Sequence, residues 1–285
     1  MSSTSQSLYY RVLPPHSLLA PYIGCYWVLR AEANHSARRE LILPDGYAEL
    51  ILNYGEPYTW KNPARQAERT IESVHLVGER DTSILVDIPS GLNQVGVKFK
   101  PAGLFTLLRQ PLSELVNQMV SPDELGDSSL RLLGEQVFDA STEAAKIVVL
   151  NTFFLRRLLV VEAPDPLVEK ALRMILEQQG NLRIDDLKDV LGVHYKTLER
   201  RFKTYVGLTP KVFARVVRFK HTYKRFHAVA TKDPAFFLDL GYYDQNHFIK
   251  DFKYFLHTTP TAYLRQRQAV SDEIVRRGLA DRALG

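Results

Sequence analysis

Two stretches of the chain carry side chains suited to pairing with the edges of nucleic-acid bases. In the first, Tyr195, Lys196, Glu199, Arg200 and Lys203 point away from an apolar pair four apart, Leu198 and Phe202. In the second, Gln245, Asn246 and Lys250 stand likewise around Phe248 and Phe252. Arg and Lys suit guanine, Glu can accept from cytosine, and Gln and Asn can pair bidentately with adenine. Ile249 offers an aliphatic contact for a thymine methyl. Glu199 has a second reading, as an intrahelical partner of Lys196 or Lys203, and the residue type leaves both open.

Such side chains read bases only if a helix carries them, and the spacing predicts one in each stretch. A short amphipathic helix over Ile184–Leu191 ends at Gly192, and a second helix starts near Tyr195. The plan then repeats: Ala235–Leu240, Gly241, and a helix over Gln245–Leu256 with Asp244 as its N-cap. Each copy closes on Thr-Pro, at Thr209-Pro210 and Thr259-Pro260. A short helix, a glycine turn and a helix with an exposed polar face make a helix-turn-helix, whose second helix fits a major groove. A connecting helix of about 19 residues, near Pro210–Ala228, spans about 28 Å. Successive major-groove faces lie ~34 Å apart, so one chain could read two of them. The charge agrees in sign: residues 165–267 hold 19 Lys and Arg against 11 Asp and Glu, whereas residues 1–164 hold 15 against 18.

The stretch Leu238-Asp239-Leu240-Gly241-Tyr242-Tyr243-Asp244-Gln245-Asn246-His247-Phe248-Ile249-Lys250-Asp251-Phe252, closed by Thr259-Pro260-Thr261-Ala262-Tyr263, resembles the signature of the AraC/XylS-type transcriptional regulators. The resemblance covers about residues 165–267. More loosely, Leu43-Pro44-Asp45-Gly46 with Glu49-Leu50, and Phe99-Lys100-Pro101-Ala102-Gly103, resemble the sensing domains found ahead of that module. It implies a sequence-specific regulator that binds double-stranded DNA upstream of controlled genes, with a β-barrel sensor for a small-molecule effector, a helical homodimer interface, and RNA polymerase as a further contact. By family position Lys196, Glu199 and Arg200 are expected to meet base edges; in the second helix Gln245, Asn246, Ile249 and Lys250 are the candidates by residue type. Tyr195, Lys203, Lys211, Arg215, Arg218, Lys253 and the Thr209 and Thr259 amides are the expected phosphate contacts, which would set register. Three residues depart from the pattern. His257 replaces the glycine that ends the second reading helix, Phe236-Phe237 replaces an Ile-Ala type pair, and His194 replaces the commoner Ser at the first N-cap.

Ahead of this module the signals are those of short strands and turns. Runs at Tyr22–Leu29, Ala48–Asn53, Ser83–Ile88 and Gln94–Phe99 predict a small cupin-like β-barrel over about 9–100, with Lys61–Thr70 as a polar loop. Helices are predicted over Gly103–Arg109, Leu112–Met119, Ser128–Phe138 and Thr142–Val160. The last is apolar on more than one side, so Val148, Thr152, Leu155 and Leu159 pack either inside one domain or against a second copy. The fold class is therefore α+β: an N-terminal barrel with a helical dimerisation region over 1–162, an all-α double helix-turn-helix over 163–268, and a tail over 269–285. Tyr26, Trp27, Tyr47, Tyr58 and Trp60 either line an effector pocket or form plain barrel core.

Other classes find little support. No nucleophile elbow, phosphate loop or convergent carboxylate pair marks an enzyme. Alkyl-repair chemistry needs several cysteines, and the chain has only Cys25. His16, His35 and His75 lack paired metal-ligand spacing, so no metal and no cofactor is expected. A net charge of only +5 argues against nonspecific DNA compaction. No apolar run approaches 18 residues and Met1–Gln6 is polar, so neither membrane span nor export signal is expected, and a cytoplasmic location is.

Overall fold

Strand β2 (Ile23–Ala31) explains the layering of the front of the molecule. Side chains alternate along a strand, and both faces of β2 are covered, so it reads as one apolar run. Tyr26 and Val28 join a core beneath helices, while Cys25, Trp27, Leu29 and Ala31 join a second core between two sheets. The computed structural model describes residues 8–31, 38–161, 164–229 and 234–266. In it, β2 lies in an antiparallel sheet with β1 (Leu8–Leu13), β4 (Ala48–Asn53), β7 (Val74–Val77), β9 (Asn93–Phe99) and β10 (Met119–Val120), in the order β1-β2-β9-β4-β7-β10. A second antiparallel sheet runs β3-β8-β5-β6, from β3 (Arg38–Ile42), β5 (Tyr58–Asn62), β6 (Ala67–Ile71) and β8 (Ile84–Ile88). Helix α1 (Gly103–Leu108) precedes β10, and α2 (Pro122–Leu125), α3 (Ser128–Asp139) and α4 (Glu143–Leu158) follow it; α1, α3 and α4 bury Leu104, Leu107, Leu130, Leu133, Leu150 and Phe154 in the core beneath the larger sheet.

The barrel expected from the strand pattern is thus approximate and not closed. The chain passes between sheets through turns at Tyr54–Pro57 and Gly78–Ser83, and no strand pairing among the described residues joins the two. Two local expectations are corrected. Lys61–Thr70 is not a loop but most of the β5–β6 hairpin, whose Lys61–Glu68 ion pair of 3.1 Å lies between directly paired residues. Lys61 and Glu68 lie on the outer face while Tyr58, Trp60 and Ile71 face the inter-sheet core, so outward polarity resembled a loop. The stretch Leu112–Met119 forms only a 3-10 turn over Leu112–Glu114. Asn117 then adopts φ 58°, exchanging hydrogen bonds with Asp81, and the chain enters β10.

The back of the chain is helical: α5 (Pro166–Glu177), α6 (Ile184–Leu191), α7 (Tyr195–Val206), α8 (Pro210–Val229), α9 (Pro234–Leu238), α10 (Gln245–Leu256) and α11 (Pro260–Gln266). Helix α8 is their axis, burying Phe213, Val216, Phe219, Tyr223 and Phe226 along one stripe in a core shared by both helix-turn-helix units. The β-rich domain packs against this helical part, with Leu41, Leu43, Ala102 and Val116 among the residues at its core. The Phe105 and Tyr205 rings lie 4.2 Å apart, Lys220 Nζ donates to the Asp45 carbonyl at 3.3 Å, and Thr82 Oγ1 donates to the Tyr254 carbonyl at 3.4 Å. No helix among the described residues is long and apolar enough to cross a membrane.

Candidate nucleic-acid interface

In the first unit Gly192 takes φ 65° and its N–H closes α6 on the Asp189 and Lys188 carbonyls. Two residues later α7 begins at a His194 N-cap that makes no side-chain cap bond. Leu198 and Phe202 are fully buried, so the opposite face turns out: Lys196, Arg200 and Lys203 are exposed and Tyr195 is half-buried. Glu199 is half-buried and its carboxylate meets Lys203 Nζ at 2.7 Å, the intrahelical partner that the sequence allowed. Arg201 ties the helix to the N-cap of α5 through Asp165, at 3.0 Å.

The second unit is built on the same plan with bulkier packing. Gly241 takes φ 80°, and Asp244 caps α10 by accepting from the His247 N–H at 2.7 Å. Gln245, Asn246, Lys250 and Lys253 are exposed, whereas Ile249 is half-buried against the helical core. Phe237, of the pair that replaces a smaller one, is buried and stacks on Phe248 with centroids 4.3 Å apart. His257 ends α10 in the left-handed region at φ 57°, doing a glycine's task, and its imidazole lies 3.4 Å from Thr82 of the β-rich domain. Tyr243 is 87% exposed immediately before this helix and was not among the expected contacts. An aromatic inside a turn carries no periodicity; only its place beside Asp244 signals it.

Thr209 and Thr259 cap α8 and α11 by accepting from the Val212 and Ala262 N–H groups, so α7 and α10 are each followed by an equivalent helix N-terminus. Lys211 is exposed beside the first of these. Arg215 and Arg218 are placed otherwise: both pair with the buried Asp251, at 2.6 and 3.4 Å. Burial, and next the Arg218 charge, lower the pKa of His247 beside them.

Of the aromatic residues expected around a pocket, Trp27 and Tyr58 line a cavity of about 220 Å³ between the sheets. Tyr26 faces the helix-side core and its hydroxyl donates to Asn151, and Trp60 is buried between the sheets. Tyr47 does not line it; its ring lies 4.7 Å from Lys98 Nζ and 4.6 Å from Lys220 Nζ, two side chains that do. The walls are aliphatic, with Ile51, Val77 and Ile84 among them, but one end is charged. There Asp45 meets Lys98 at 2.6 Å and Arg80 at 3.8 Å. Burial alone raises the Asp45 pKa; Lys98, Lys220 and Arg80 outweigh it and hold the carboxyl below its ordinary range. Burial, reinforced by Asp45, pushes Glu79 well above its ordinary range. The Nε of Arg80 is buried without a partner, and Lys220 and Tyr223 of α8 complete the lining.

His75 is buried, its Nε2 2.6 Å from the Tyr58 hydroxyl and its Nδ1 2.9 Å from the Ser73 carbonyl; His16 caps the 3-10 turn at Ser17–Leu19, and His35 lies outside the described residues. Among the described residues no three His, Cys, Asp or Glu side chains cluster as metal ligands would.

Comparison with known proteins bears on both halves. A family model described as a helix-turn-helix domain matches residues 187–266, and one described as a domain of unknown function matches residues 11–121. Among solved structures, the chain is similar to ToxT from Vibrio cholerae, at 13% identity and a TM-score of 0.45, covering 84% of this chain and 97% of that one. It is also similar to the AraC-like transcriptional activator CuxR, at 11% identity and a TM-score of 0.29, covering 82% and 91%. The Clostridium difficile EutQ protein matches at 12% identity and a TM-score of 0.25, covering 38% and 72%. No curated protein matches the sequence.

Proposed function

We propose that this chain is a transcription regulator of the AraC type, a reading supported by the helix-turn-helix domain matched over residues 187–266 and by the signature-like stretch Leu238–Phe252. Helices α7 and α10 enter successive major-groove segments on one side of the duplex. Lys196 and Arg200 read in the first, with Glu199 shared between a base and Lys203; Gln245, Asn246 and Lys250 read in the second, with Ile249 at its edge. Phosphates are met by Tyr195, Lys203, Lys211, Lys253 and the helix N-termini capped by Thr209 and Thr259, with Tyr243 beside them. The observation that carries this reading is the repeat itself: two exposed polar helix faces held on one 20-residue helix, α8.

The cavity between the sheets is the effector site. Its apolar walls and charged end fit a small amphipathic molecule whose polar group reaches Arg80, Lys98 and Lys220. An apolar cavity of roughly 150 Å³ takes benzene, so about 220 Å³ takes a body somewhat larger than one ring. Because Lys220 and Tyr223 belong to α8, an occupant touches the helix that carries both reading heads. A homodimer forms through α4 and its C-cap Leu159, where Val148 is 63% and Leu159 85% exposed and Thr152 lies on the same face. Leu155 is half-buried and packs inward, so it supports that face from below.

Selection of bound sites from random DNA at ~0.15 M salt tests the reading. Two enriched blocks about one helical turn apart are expected. A single short block would remove α10 as a reader, and no enrichment, with or without cell extract, would overturn sequence-specific binding.

A further inference from the structure

We propose that Asp251 sets the offset between the two reading helices, and so the spacing of base blocks the chain accepts, by clamping α10 to α8 through Arg215 and Arg218. The proposal rests on both units reading DNA. Asp251 directly follows the exposed Lys250 but points inward, 2% exposed among the buried Phe248, Phe252 and Phe255. A carboxylate survives in such surroundings only when paired and hydrogen-bonded. Its Oδ1 accepts from Arg215 Nε at 2.6 Å and its Oδ2 from Arg218 Nη2 at 3.4 Å.

The two arginines, three apart on α8, share one face and reach opposite ends of the second unit. The Arg218 guanidinium lies 4.9 Å from the Tyr242 ring and 3.5 Å from His247 Nε2, beside the turn that starts α10. The Arg215 guanidinium lies 4.1 Å from the Tyr254 ring and 5.2 Å from that of Phe255, at the last turn. Elsewhere α8 and α10 meet through aromatic faces, such as Phe219 on Phe255 and Phe226 on Phe248, whose attraction is non-directional and tolerates sliding. A charge-assisted pair with two donors tolerates far less. At its other end α8 is fixed to α7 by Phe202 against Phe213. Helix α8 is thus a ruler, and Asp251 fixes where on it α10 stands. One base step is about 3.4 Å per strand, so a slide of that size changes the preferred spacing by one base pair.

The experiment uses full-length protein and DNA libraries in which the two selected blocks are separated by variable spacers. The variants are Asp251→Asn, which keeps shape and loses charge, and Arg215→Gln, which leaves Arg218 paired should the first fail to fold. Wild type should accept one spacer. Each variant should lose about tenfold of its preference for that spacer over its neighbours, roughly one charge-assisted contact, with the bases inside each block unchanged. The slope of log affinity against log salt separates this from phosphate binding: Arg215→Gln should leave it unaltered, whereas loss of a phosphate contact lowers it by about 0.9. A wild-type spacer profile in the folded variants, or a lowered slope for Arg215→Gln, overturns the clamp. Absence of a second block in the wild type overturns the two-helix reading and the clamp with it.

Discussion

His75 sits in the inter-sheet region with both ring nitrogens occupied, and burial lowers its pKa to about 4. An unfolded chain would hold that proton up to about 6.5. The unfolded state therefore binds more protons between those values, and stability is lost as pH falls from about 6.5, by up to about 1.4 kcal/mol per unit. His75→Gln should flatten urea midpoints between pH 7 and 5.5; a parallel decline in both proteins would rule out His75 as the source. Arg200, exposed on α7 and without the intrahelical partner that Glu199 has, makes the simplest test of base reading. Arg200→Ala should cost about 1–3 kcal/mol and relax one base position in a binding-site selection. Equal loss on every sequence would make it a phosphate contact instead. At this scale residue type was informative and partner was not. Lys196 and Arg215 are both basic helix residues in the sequence, yet one is exposed and the other serves a buried carboxylate 36 residues away.

The helix pattern of the back half was legible because its signals are local. Asp165-Pro166 starts α5, Gly192 ends α6 and Asp244 caps α10, each within one turn of the residue concerned. The β5–β6 hairpin was not legible, because its stability comes from pairing with β8 across the chain and its outward charges mimic a loop. Two glycines allow a comparison at this scale. Both have positive φ, but a Cβ at Gly192 would meet nothing within 4 Å, whereas one at Gly241 would come within 2.2 Å of the Asn181 carboxamide. Gly192→Ala should therefore cost about 1–2 kcal/mol from backbone strain alone. Gly241→Ala should cost more, because Asn181 must also move. Chemical denaturation of the two variants checks the order, and equal values would mean that Asn181 yields freely.

At the scale of the whole molecule, the expected split into a β-rich front and a helical back is what the structure shows, while the way the halves meet could not be read from either alone. The Asp45–Lys220, Thr82–Tyr254 and Phe105–Tyr205 contacts join residues 100 or more apart, and no local pattern announces them. The outward face of α4 bears on assembly. Val148→Glu together with Leu159→Glu should give a monomer in sedimentation without lowering the melting temperature by more than a few degrees, since both side chains are exposed. A dimer that persists would move the interface elsewhere.

Lys220 and Tyr223 stand in a cavity otherwise walled by the β-rich domain, although they belong to α8, the helix that joins the two helix-turn-helix units. Free energy does not depend on the order of events. Whatever factor an occupant applies to DNA affinity, DNA applies to the occupant's affinity. On the proposed reading, the target DNA is thereby an effector in its own right. Copies resting on their target and copies adrift in solution would sample one pool of small molecules with two different dissociation constants.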